Sequence, residues 1–81
     1  EVALDIWYDG MLQIRDTEHF FPEGIRLSVF DYSGREVYVA DIPDLHSQVS
    51  IPLDIKTSGV YMIRCVGRNG KRLAIDALYL E

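Results

Sequence analysis

The sequence predicts an all-β fold, a seven-stranded antiparallel immunoglobulin-like sandwich in a single domain over residues 1–81, and three observations point there. Apolar and polar residues alternate with a period of two from end to end, the mark of half-buried strands. Turn signals, among them Asp9-Gly10, Ser33-Gly34 and Asn69-Gly70 with the loops at Pro22–Gly24, Pro43 and Gly59 between them, break the chain into short strands, as in sandwiches. No stretch carries a 3.6-residue apolar stripe, so no substantial helix is expected.

The first strand, Val2 to Tyr8, puts Val2, Leu4, Ile6 and Tyr8 on one face. Asp9-Gly10 accepts the positive φ angles of a tight hairpin, and Met11 to Arg15 returns with Leu12 and Ile14 inward. Residues 16–24 form a loop whose Phe20 and Phe21 would plug the end of the sandwich. The third strand is Ile25 to Phe30. Asp31 caps the next turn with its side chain, and Gly34 takes its left-handed position. Strand four, Arg35 to Asp41, sets Val37 and Val39 on one face against Tyr38 and Ala40. Pro43 closes it, and residues 44–48 cross to the other sheet. Strand five, Val49 to Leu53, contains Pro52, which cannot donate to a ladder and so marks an edge or bulge. Residues 54–59 turn the chain at Gly59. Strand six, Val60 to Val66, and strand seven, Lys71 to Leu80, are joined through Gly67-Arg68-Asn69-Gly70, with Gly70 as turn residue.

A hydrophobic fraction of 48% argues against disorder, and no apolar run approaches the roughly 20 residues of a membrane span. The net charge of −5 argues against nucleic acid as partner, since neutralising phosphates takes a surplus of Lys and Arg. Four of the eight basic residues, Arg64, Arg68, Lys71 and Arg72, nevertheless cluster. They are the candidate partner-binding residues. A chain starting at Glu1 is expected to be a processed or excised piece. The single cysteine, Cys65, allows neither an internal disulfide nor a thiolate metal cluster. It shares a face with Tyr61 and Ile63, where a small buried residue is wanted.

Three segments in order carry a family resemblance: Ile25–Val37 (IRLSVFDYSGREV), Ile51–Arg64 (IPLDIKTSGVYMIR) and Asn69–Leu80 (NGKRLAIDALYL). Together they resemble the C-terminal sorting domain of proteins exported by the type IX secretion system of Bacteroidetes. The chain departs from that pattern in its proline-free opening, DIWYDGMLQIRD, and in Asp76, which stands where a lysine is usual. It is also similar, through YDGMLQI, DYSG, SIPL, SGVY and LYLE, to small secreted immunoglobulin-like Bacteroides proteins of unknown function. Both resemblances imply the same fold, a secreted, periplasmic or cell-surface setting, and no chemistry.

Residues that could carry chemistry have blander readings. Tyr61, near the start of strand six, is expected to form a corner by bonding its hydroxyl to nearby backbone. A nucleophile–base pair would need Cys65 or Ser47 beside His19 or His46, and both histidines fall in predicted loops. His19 with Asp16 and Glu18, or His46 with Asp41 and Asp44, lacks the carboxylate spacing of a Ca²⁺ loop. An exposed aromatic platform drawn from Trp7, Tyr8, Tyr32, Tyr38, Tyr79 and Phe20-Phe21 would suit sugar stacking. A domain this small is expected to spend its apolar residues on the core, leaving no room for a reactive cavity. The reading is therefore a monomeric, non-enzymatic module without cofactor or metal. Its partner would be a protein of the export or envelope machinery, met through sheet edges and the last hairpin. The alternative is an adhesion or binding module, for protein or carbohydrate, with no sorting role.

Overall fold

Seven strands follow one another: β1 (Asp5–Tyr8), β2 (Leu12–Arg15), β3 (Ile25–Phe30), β4 (Glu36–Ile42), β5 (Gln48–Ile51), β6 (Gly59–Gly67) and β7 (Leu73–Leu80). The computed structural model describes residues 4–43, 45, 47–68, 70 and 72–81. The strands form two antiparallel sheets, of order β1-β2-β5 and β4-β3-β6-β7, and no helix occurs among the described residues. The connection after Pro43 does cross between sheets, because β4 hydrogen-bonds to β3 and β5 to β2.

Period-two patterning sets which side chains meet. Ile6 on β1, Leu12 and Ile14 on β2 and Ile51 on β5 face Ile25, Leu27 and Val29 on β3, with Tyr61, Ile63 and Cys65 on β6 and Ala74 and Leu80 on β7. Tyr38, Ile42 and Leu78 pack against this core from partly buried positions. The fourth strand thus turns Tyr38, Ala40 and Ile42 inward and leaves Val37 and Val39 in solvent.

The 16–24 loop is held by a buried clamp. Asp16 accepts the backbone N–H groups of Phe20 and Phe21 at 2.9 Å each, and Phe21 drops into the core. Asp16, expected from the sequence as part of a solvated polar loop, is instead buried as a structural acceptor, and its burial is offset by those bonds. Gly24 closes the loop with φ 92°, and a Cβ there would collide with the Ile42 carbonyl oxygen. The Gly24 carbonyl in turn accepts the Arg68 N–H at 3.2 Å, tying the loop to the β6–β7 connection.

Strand ends differ from expectation for identifiable reasons. β5 stops at Ile51 because β2 begins at Leu12, the residue opposite, and Pro52 follows. Gly59 lies within β6, paired with Leu80, rather than in a turn. Val2, at the proposed start of the first strand, lies outside the described residues.

Candidate functional site

Each sheet has an outer face, and the two are chemically opposite. On the smaller sheet, Gln13 is buried as a hub: its amide donates to Asp9 at 3.1 Å and accepts the Ser50 hydroxyl. Beside it Arg15 forms an ion pair with Asp5 at 3.0 Å and stands 5.1 Å from the Trp7 ring centroid. The bond from Gln13 is the main reason the Asp9 carboxyl titrates below its ordinary value, against a smaller opposing effect of burial. This surface is polar and internally bonded.

The larger sheet presents a different surface. Register places Val39, Ser28, Arg64 and Ile75 in one row across its outer face, and Phe30, Met62 and Ala77 in the next. Val60 and Tyr79 form a third row, at 55% and 61% exposure, and Met62 is at 47%. Near Phe30, Met62 and Ala77 the surface sinks into a shallow hollow of about 390 Å³, rimmed by Tyr32, which is 89% exposed. The apolar side chains are therefore not all consumed by the core, contrary to the sequence expectation. Strands β4, β6 and β7 are apolar on both faces, so one set has no sheet to cover it. That signal is visible in the sequence, where Val60-Tyr61-Met62-Ile63 breaks polar alternation.

Tyr32 is held on a rigid turn. Asp31 accepts the Ser33 hydroxyl at 2.6 Å and the Ser33 and Arg35 N–H groups at 3.0 Å, and its other oxygen pairs with Arg35 at 3.2 Å. The Ser33 hydroxyl leads these influences in holding the Asp31 carboxyl below its ordinary value. Gly34 adopts φ 86°, and Gly10 and Gly70 adopt φ 104° and 75° in their turns.

The basic residues do not converge. Arg64 lies mid-strand on the outer face, while Arg72 stacks its guanidinium 5.5 Å from the Phe20 ring centroid. Arg68 is exposed in the connection, and Lys71 lies outside the described residues. Tyr61 donates its hydroxyl to the Thr57 carbonyl, making the corner.

Sheet edges offer little. The Asp76 carboxylate accepts the neighbouring Ala77 N–H at 2.8 Å along the β7 edge. β4 carries a register shift opposite Val29/Phe30 and stops at Ile42, just before Pro43. β5 stops at Ile51, just before Pro52, and β1 packs beside β7. Bulges, prolines and inward charges of this kind discourage strand addition.

Burial pushes the Cys65 thiol up to about 12, far from thiolate formation at neutral pH. His19 is exposed with φ 56°, and no cluster of metal-binding side chains forms among the described residues. His46 and Asp44 lie outside them. A cleft does open, contrary to expectation: about 670 Å³ lie between the β3–β4 turn and residues 52–58. The sandwich gapes there because β5 is shorter than the strands opposite.

No protein-family model, curated protein or solved structure matches the chain.

Proposed function

We propose that this chain is a non-catalytic, immunoglobulin-like protein-binding module of a secreted or surface protein, docking through the outer face of its larger sheet. The observation that supports this is the row pattern of exposed apolar side chains around Arg64. Exposed apolar surface of that continuity marks interaction sites on soluble domains. The hollow beside Met62 suits one large apolar anchor from a partner, the usual centre of binding energy. Arg64 would choose among partners by requiring an acidic group nearby.

The three ordered segments shared with type IX sorting domains make sorting and attachment the specific form of this role, with export or envelope machinery as partner. The whole chain is appended to a periplasmic reporter in a host competent for that export. Release of the reporter to the cell surface or medium, abolished by Met62→Glu with Ile75→Glu, is the expected result. A reporter retained in the periplasm removes the sorting role, and export unaffected by the double variant removes the docking face.

A free-standing adhesion module is the second reading, favoured by the single observation of Tyr32 on its clamped turn. A ring presented this way suits stacking on a sugar or a partner side chain.

A further inference from the structure

The cleft at the open end of the sandwich has one unusual wall. Residues 52–56 alternate strictly in burial, with Leu53 and Ile55 half-buried and Pro52, Asp54 and Lys56 exposed. That is strand patterning, yet the segment belongs to neither sheet. Leu12 is the first residue of β2 and already pairs with Ile51, so 52–56 runs on past the paired part of the smaller sheet. Among the described residues no backbone hydrogen bond reaches the N–H groups of Leu53, Asp54, Ile55 or Lys56. The segment is nevertheless pinned at both ends, by β5 before it and by the Tyr61–Thr57 bond after it.

The rest of the cleft indicates what would fit. Val29, Tyr38 and Tyr61 join Leu53 and Ile55 in lining it. At its rim the charges are already spent on each other, Asp31 with Arg35 at 3.2 Å and Lys56 with Asp54 at 2.9 Å. Every buried side-chain polar atom among the described residues has a partner. Among the described lining residues every charged side chain is thus paired, and none is left over to orient a charged small ligand. The N–H groups of residues 53–56 have no backbone partner among the described residues, and another extended main chain can pair with alternate ones of them in register.

We infer that the cleft between the β3–β4 turn and residues 52–56 is a peptide-binding groove. It takes an extended segment that adds as a strand to 52–56 and points alternate apolar side chains at Tyr38, Leu53 and Ile55. Strand addition gives affinity through backbone bonds and selectivity through alternate side-chain pockets. This groove adjoins the hollow of the apolar outer face, with Asp31, Tyr32 and Val60 lining both, but its strand-like wall at 52–56 is its own and does not depend on the outer face having a partner. Because β5 leads directly into 52–56, the added strand would lengthen the smaller sheet on the side where it is short. Odd-numbered residues of β5 bond to β2, as the Asp16 N–H to Ser47 carbonyl contact shows, so Asp54 and Lys56 aim their backbone groups away from that partner.

The test uses the folded chain and a fluorescein-labelled heptapeptide of alternating valine and threonine as probe. Saturable binding is expected, with amide signals of Asp54 and Lys56 shifting and becoming protected from hydrogen exchange. N-methylation of the two central peptide amides should weaken binding by about tenfold or more, since main-chain bonds carry it. Asp54→Pro removes an N–H that serves no ladder and should weaken binding to a similar extent, whereas Asp54→Asn keeps that N–H and should not. Glu23→Gln, exposed in the loop that precedes β3 and so at the opposite end of that strand from the groove, should leave binding unchanged. Three results would each overturn the groove: no binding by the probe, equal binding of the N-methylated peptide, or shifts confined to the outer face. Self-association abolished by Asp54→Pro would replace the peptide with a second copy of the chain and so overturn the assignment as well.

Discussion

The outer face of the smaller sheet and that of the larger sheet belong to one small domain and solve solvent exposure in opposite ways. The first buries Gln13 under bonds to Asp9 and Ser50 and pairs Arg15 with Asp5, so its polar groups satisfy one another. The second leaves Val39, Met62, Val60, Ile75 and Tyr79 in water with Arg64 among them. Folding demands the core between the sheets, but it does not demand this second apolar layer. The contrast separates side chains that hold the fold from side chains available to a partner.

The sharpest test of that separation lies within β6, where Ile63 faces the core and Met62 faces out. Ile63→Ala should cost about 3 kcal/mol through lost burial and a residual cavity, while Met62→Ala stays within about 0.5 kcal/mol. Chemical denaturation measures both. Similar losses would mean the outer face is packed in the isolated chain, and the comparison fails. On the polar side, Gln13→Ala should cost about 1–2 kcal/mol because Ser50 and Asp9 lose a shared partner. A neutral result would reduce that face to ordinary solvated surface.

Cys65 sharpens the comparison from the inside. With its thiol pushed up to about 12 by burial, the folded chain should resist iodoacetamide at pH 8, and the chain in denaturant should react readily. Fast labelling under native conditions would show that the larger sheet opens. The smallest effect is electrostatic. Asp9 and Asp31 both titrate below the ordinary carboxylate value, so the folded state holds their protons more weakly than the unfolded chain does. Their contribution is present above the ordinary carboxyl range and is lost as pH falls through their folded values. Carboxyl NMR titration should show Asp9 moving up in Gln13→Ala and Asp31 moving up in Ser33→Ala. An Asp31 that titrates unchanged in Ser33→Ala would remove the hydroxyl as the main support of that turn.

Most of the architecture was legible because strands in a two-layer fold announce themselves by alternation and turns by Asp, Asn and Gly. β3 matches its expected limits, and the Tyr61 corner and the Phe21 plug sit where residue type and position put them. What could not be read was which of two apolar faces would be covered. Val37-Tyr38-Val39-Ala40 satisfies a strand either way up, and only pairing with β3 turns Tyr38 inward. The cleft was hidden for a related reason. Val49 to Leu53 looks like one strand, but its partner ends at Leu12, and the length of a neighbour is not written in a segment's own pattern. The burial of Asp16 is not legible in the sequence either, because an acidic residue in a polar loop gives no local sign that two backbone amides will converge on it.

Position 24 has a further use. Its backbone conformation and the carbonyl wall of Ile42 against it leave space for hydrogen alone. Distant sequences sharing this architecture should keep a bare α-carbon three places after an aromatic plug, even where every surface residue has changed. Such a two-residue fingerprint can single out kin that overall similarity leaves undetected.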